Sequence, residues 1–251
     1  MTRQLLLMNI VIVSCFIKAF ADLPPDIEKC KSNDNDECIA KNIVKILDMH
    51  PNGYPEIGLP KASPIVIKDV ILSENKQDTP IQLSFKFNRM VITGLNKLQV
   101  VRSHGFNKNL TNTIDLDVLN PEIKIEGDYV MKGKLLLFPL NGKGNGSIIL
   151  KDLLSKYKIK FKLESRNNKN YAVVDKLKLW VLQPKKVIYN LQNVVNNNEV
   201  LTETINDVMN ENWSDLWKEL QSNTIKFVED QIRNVLMDIF KVLSVDDFYT
   251  D

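Results

Sequence analysis

The chain has 251 residues, with 33 Lys and Arg against 31 Asp and Glu and a formal net charge of +2. Arg3 and Lys18 fall in a predicted leader, so the rest of the chain is close to neutral. That balance excludes nucleic-acid binding by phosphate neutralisation across a basic face and argues against anchoring on anionic membranes.

Residues 1–21 carry Arg3, an apolar run from Leu5 to Val13 that continues through Cys15-Phe16-Ile17, and then Ala19-Phe20-Ala21. A positive start, an apolar middle and small residues at the end are the parts of a secretory signal peptide. Asn9, Ser14 and Lys18 interrupt the roughly 20 apolar residues that a membrane helix needs. Cleavage is expected after Ala21, with residues 22–251 as one exported domain; about 230 residues is ordinary for a single β-rich domain.

Cys15 leaves with the leader, and an exported chain keeps Cys30 and Cys38 oxidised as one short disulfide. In the chain-entropy model so small a loop contributes about 2.5 kcal/mol. The disulfide is expected to hold the N-terminal segment at the mouth of the fold. The two cysteines, His50 and His104 lack zinc-site spacing, so no metal is expected, nor is any cofactor. Sequons at Asn109, Asn145 and Asn212 are candidate glycosylation sites in a secreted chain. Asn109 and Asn145 fall in loop-like stretches, whereas Asn212 adjoins Trp213 on an expected helix.

From Cys38 to Met49, Ile39, Ile43, Ile46 and Leu47 recur at helical spacing, and Pro51-Asn52-Gly53 stops the pattern. From Ile65 to Leu182 the period changes to two. Ile81-Gln82-Leu83-Ser84-Phe85-Lys86-Phe87 is the clearest case, followed by Ile114 to Val118, Ile123 to Glu126, Ile159 to Glu164 and Leu177-Lys178-Leu179. Strict alternation indicates an antiparallel sheet with one wet face. Gly53, Gly94, Gly105, Gly127 and Gly133 read as turns or bends, and Gly142-Lys143-Gly144-Asn145-Gly146 as a flexible hairpin.

From Glu199 to about Leu243 apolar residues recur at three and four, through Leu201, Ile205, Met209, Trp213, Leu216, Trp217, Leu220, Ile232 and Ile239. Unbroken, that helix would be about 65 Å long at 1.5 Å per residue. A one-faced sheet and a one-striped helix cover each other. The expected class is therefore α+β, with a highly curved antiparallel sheet wrapped around a long C-terminal helix.

Tyr54-Pro55-Glu56-Ile57-Gly58-Leu59-Pro60 followed by Ser63-Pro64-Ile65-Val66-Ile67 resembles the entry to the first strand in the insect takeout and juvenile-hormone-binding family. Gly127-Asp128-Tyr129 with Gly133 to Leu140 and the glycine cluster to Gly146 is similar to a second family motif. Asn210 to Trp213 through Trp217-Lys218-Glu219-Leu220 is similar to a third. The resemblance spans nearly the whole chain after the leader. It implies a tubular lipid-binding roll with an internal apolar tunnel, and a secreted carrier of a small hydrophobic ligand of the terpenoid hormone, odorant or fatty-acid class. The family's hormone carriers have two disulfides, whereas this chain can form one, which places it nearer the takeout branch.

Inward-facing aromatics are the candidate tunnel lining: Phe85, Phe87, Phe138, Trp180, Trp213 and Trp217, with the Tyr129 hydroxyl placed to meet a ligand head group. Each of these aromatics also suits a solid core. An enzyme is not expected. No Gly-x-Ser-x-Gly elbow occurs, Asp115 and Asp117 share the wet face of a strand, and His50 and His104 read as solvated turn residues. A monomer is expected, with an extracellular receptor as a further partner. The alternative is a protein acting through its surface on a receptor or lipid aggregate without a stoichiometric ligand.

Overall fold

The computed structural model describes residues 22–33, 35–73, 81–135 and 138–250. The expected leader lies outside them. In chain order the elements are β1 (Cys30–Lys31), α1 (Asp36–Met49), β2 (Ile65–Ser73), β3 (Ile81–Thr93), β4 (Gln99–His104), β5 (Ile114–Leu135), β6 (Phe138–Arg166), β7 (Lys169–Val181), β8 (Lys186–Leu191), α2 (Glu199–Glu211), α3 (Trp213–Val242) and β9 (Tyr249–Thr250).

The spine is the antiparallel pair β5 and β6, joined in register from Ile114 opposite Ile159 to Leu135 opposite Phe138. At one end β3 extends the sheet from β5, β2 pairs with β3, and β8 pairs with β6. At the other end β4 pairs with β5 and β7 with β6. The period of two fixes which side is dry. Ile114, Leu116 and Val118 are buried, while Asp115 and Asp117 face Lys158 and Lys156 across the strand pair at 3.6 and 3.9 Å. Those carboxylates are cross-strand ion pairs on the outer face.

Curvature is built in where β3 meets β5. The register slips between Phe87 and Arg89, and opposite it Gly127 takes φ +156° with its α-carbon so close to β3 that a Cβ would lie 1.8 Å from the Arg89 carbonyl oxygen. A bulge paired with a glycine bends the strand and increases its twist. The expected hairpin at Gly142–Gly146 is not present: these residues run straight through β6, paired with Met131 to Gly127. Glycine is required there for close approach, because a Cβ on Gly142 would lie 2.5 Å from the carbonyl oxygens of Asn193 and Val194. Asn145 is accordingly an exposed strand residue and not a loop residue.

The C-terminal stripe forms two helices, not one. Asn212 leaves helical geometry at φ −100°, ψ 23° and serves as the last cap of α2 and the first of α3. Its Nδ2 donates to the Val208 carbonyl at 2.8 Å, a local side-chain bond of the kind that competes with a helix's own ladder. The break lets α2 lie along β8 while α3 runs on to touch β8, β2 and β7. The sheet therefore curls around α3 without closing on itself.

Helix side chains complete the strand edges that closure would have paired. On α2, Asn206 accepts from the Leu191 amide at 2.9 Å and donates to the Leu191 carbonyl at 2.8 Å. One turn later Asn210 does the same for Tyr189 at 2.7 and 2.9 Å. On α3, Glu229 accepts from the Leu179 amide at 2.6 Å and Arg233 donates to the Val174 carbonyl at 3.1 Å, both on β7. Each amide mimics a neighbouring strand on an edge that would otherwise present unpaired groups. Replacing Asn206 and Asn210 together by Ala should cost about 2 kcal/mol per site, since buried backbone groups lose their partners. Urea unfolding measures this, and a loss below about 1 kcal/mol for the pair would show that the edge is satisfied by other means.

The first and last strands meet at one end of the roll. Strand β1 pairs parallel with β9, Cys30 opposite Tyr249, and the Cys30–Cys38 disulfide ties β1 to α1 with 5.8 Å between α-carbons.

Candidate ligand-binding site

The interior divides into two unlike halves. At the β2–β3–β8 end, Phe85, Phe87, Tyr129, Met131, Leu135, Ile205, Met209 and Leu216 are all but fully buried in one continuous cluster. Ring centroids there stand 5.2 Å apart for Phe85 and Phe87 and 5.7 Å for Phe85 and Tyr129. These side chains form one continuous buried cluster.

At the opposite end, beneath α1 and the last turns of α3, lies an apolar cavity of about 230 Å³. Helix α1 supplies Ile39, Ile43 and Ile46, which the helical period places on one face. Ile114 and Leu116 from β5 and Ile159 and Phe161 from β6 form the sheet wall. Leu236, Ile239 and Phe240 close it from α3, and Phe106, Leu110, Val245 and Phe248 from the flanking loops. Phe240 meets Phe161 at 5.3 Å and Phe248 at 5.6 Å between ring centroids, fixing that corner. An apolar hollow is thus present at one end of the roll, as the expected architecture requires.

The residues of this wall that carry polar side chains are Glu28, Asn42 and Tyr249. Asn42 Nδ2 donates to the Glu28 carbonyl at 2.7 Å and lies 3.4 Å from Cys30 Sγ. Burial, reinforced by the charge of Asp36, pushes the Tyr249 hydroxyl up to about 12.

A strap of residues 22–31 lies across the cavity and contributes Leu23, Ile27 and Glu28 to its wall. It is tied to α1 at several points. His50 Nε2 sits 3.1 and 3.2 Å from the two Asp26 carboxylate oxygens, Lys45 donates to the Asp26 carbonyl, and Lys41 pairs with Glu28 at 3.2 Å. Desolvation acts to raise the Asp26 carboxyl, but the His50 hydrogen bond together with the His50 and Lys45 charges holds it below the usual carboxylate range. His50 is therefore a tether and not a solvated turn residue. His104, at the end of β4 and not in a loop, likewise faces Asp36 at 3.3 Å.

None of the aromatics expected from the sequence lines this cavity. Phe85, Phe87 and Tyr129 belong to the filled core, and Phe138, Trp213 and Trp217 pack half-buried against it. The Tyr129 hydroxyl, raised to about 12 by burial, donates to the Gln192 carbonyl at 2.7 Å and is committed to holding the loop after β8. Trp217 Nε1 is buried and has no hydrogen-bond partner among the described residues. Trp180 is 39% exposed on the outer face of β7, with Lys178 5.0 Å from its ring. Among the sequons, Asn109 and Asn145 are exposed, while Asn212 is half-buried with its amide engaged.

A family model described as "Haemolymph juvenile hormone binding protein (JHBP)" matches residues 7–250. The circadian clock-controlled protein daywake of Drosophila melanogaster is 24% identical over 241 residues, covering 94% of this chain and 92% of that protein. Its Drosophila yakuba counterpart is 23% identical over the same span. Among solved structures, Takeout 1 of Epiphyas postvittana superposes with a TM-score of 0.77 at 17% identity, covering 90% of this chain and all of that one. That superposition shares the curved antiparallel sheet and C-terminal helices described above.

Proposed function

Since this chain belongs to the haemolymph juvenile hormone binding protein family, we propose that it is an exported carrier that holds a small hydrophobic molecule of the terpenoid, odorant or fatty-acid class. The observation that carries this reading is the hollow beneath α1, walled almost entirely by Ile, Leu, Val and Phe and strapped by the N-terminal segment. Burying about 300 Å² of apolar ligand surface contributes about 7 kcal/mol at 25 cal/mol/Å², before the costs of association. The cavity volume of about 230 Å³ sits just below the ~300 Å³ lower bound of ordinary ligand pockets, which favours a compact ligand or the terminal part of a longer chain. Export is supported by the leader-like first 21 residues and by a disulfide of a kind that persists in oxidising surroundings.

Native mass spectrometry of the secreted protein tests the reading. The expected spectrum carries mass beyond polypeptide and glycans, removable with organic solvent, and the emptied protein takes up a displaceable fluorescent fatty probe. No extractable lipid and no displaceable probe would leave a surface-acting role as the better account.

The strap gives a separate expectation. Cys30→Ser removes about 2.5 kcal/mol of chain restriction at the point where β1 joins α1, so probe dissociation should quicken severalfold while the far-ultraviolet circular dichroism of the sheet stays unchanged. Equal dissociation rates in the variant and the parent would remove the strap from the mechanism of retention.

A further inference from the structure

A second concavity lies on the outer face of the sheet, over the kink at Gly127. It is a trough of about 480 Å³, within the ~300–1,000 Å³ range of small-ligand sites. Val91, Glu126, Ser147 and Asn190 form one rung of its wall, in register across β3, β5, β6 and β8. Arg89, Asn145 and Gln192 line it beside them, and Gly127 and Gly146 add no side chain to fill it. Alternation along the strands sends Ile148, Tyr189 and Leu191 to the buried side. Glu126 pairs with Lys124 at 2.7 Å. The side chains of Arg89, Asn145, Ser147, Asn190 and Gln192 make no hydrogen bond or ion pair among the described residues. The trough therefore offers guanidinium, amide, hydroxyl and carboxylate groups, the mixed donors and acceptors that sugar hydroxyls and acetamides match.

Asn145-Gly146-Ser147 is a sequon, all three of its residues line the trough, and Asn145 is exposed. We propose that Asn145 carries an N-linked glycan whose first N-acetylglucosamines lie in this trough, hydrogen-bonded to Asn190, Gln192 and Arg89. This rests on reading the chain as exported. Attachment forms a bond from Asn145 Nδ2 to the anomeric carbon of a lipid-diphosphate-linked oligosaccharide. It breaks that carbon's bond to the diphosphate oxygen and releases the lipid diphosphate and a proton. A tethered sugar stands at high effective concentration over the trough, so hydrogen bonds too weak to capture a free saccharide suffice to seat it. Seated, it links β3 to the end of β8 across the two strands between them.

Full-length protein expressed in insect cells tests this by peptide mapping before and after treatment of the folded protein with a peptide-N-glycosidase, which turns each released site into Asp. Asn145 should be occupied. Where Asn109 is also occupied, release from Asn145 should be about tenfold slower than from Asn109, the weight of one or two net hydrogen bonds. In the double variant Asn190→Ala, Gln192→Ala, release from Asn145 should quicken about tenfold on the same grounds, with the melting temperature unchanged. Secreted protein with Asn145 unmodified would overturn the proposal and leave the carrier reading intact. Release from Asn145 that is no faster in the double variant would overturn the seating of the sugar, since the protection would then come from the strand alone. Protein that stays inside the cells would remove export and this proposal together.

Discussion

Ile43→Trp is expected to weaken ligand binding roughly 60-fold while leaving the protein as stable as the parent. Ile43 is half-buried on the cavity face of α1, opposite the sheet wall of Ile114 and Ile159. An indole at this position extends into open volume and not into packed side chains, so the usual penalty of overpacking a core does not arise. Displacing the ligand from roughly 100 Å² of wall removes about 2.5 kcal/mol of apolar burial, and 1.4 kcal/mol corresponds to about tenfold in affinity. Probe displacement and thermal unfolding on the same samples check the two halves of the expectation. Unchanged affinity would place the ligand elsewhere, and a large fall in stability would show that the space beside Ile43 is not open.

The second large effect belongs to the other half of the interior. Phe85 is fully buried, with Phe87 tilted against it and Tyr129 edge-on to it, and truncating such a residue costs about 3–5 kcal/mol through lost burial and the cavity left behind. Phe85→Ala should therefore lower the melting temperature by about 10 °C, given roughly 2–4 °C per kcal/mol for a domain of this size. The folded fraction should bind the probe as tightly as the parent. Loss of affinity at unchanged stability would instead restore Phe85 to the ligand path and contradict the division of the interior into a filled half and a hollow half.

These contrasting variants show what could and could not be read from the sequence. The period-two runs located β3, β5, β6 and β7 because each strand has one dry face, and the helical stripe after Glu199 marked α2 and α3 for the same reason. The break at Asn212 left no trace in the stripe, because the apolar spacing continues across it from α2 into α3. The glycine cluster was misread because turns and close backbone approaches both call for glycine. Only the position of Asn193 and Val194, some 50 residues on, decides between them.

The expected lining residues and the residues of the hollow are different sets. Aromatic residues suit core and cavity wall alike: Phe85, Phe87 and Tyr129 pack in the buried cluster, while Phe106, Phe161, Phe240 and Phe248 line the hollow. Trp180 was excluded by parity alone: Leu177 and Leu179 face inward, so Trp180 faces out. The signal for the wall of the hollow was present in Ile39, Ile43 and Ile46, a helix face with nothing assigned to cover it. Its partners, Ile114, Ile159, Leu236 and Phe248, come from distant parts of the chain. The Cys30–Cys38 bond was legible from residue count and compartment. Its position beside the cavity depended on β1 pairing with β9, a contact between the two ends that no local pattern announces.

A hydrophobic molecule should enter the hollow beneath α1. Isoleucine methyl spectra recorded through a titration with 1-decanol locate it directly, because Ile39, Ile43, Ile46, Ile114, Ile159 and Ile239 line the hollow while Ile148 and Ile205 sit in the filled core. Saturable shifts confined to the first group are the predicted result. Shifts centred on Ile148 and Ile205, or no saturable shift in either group, would contradict it.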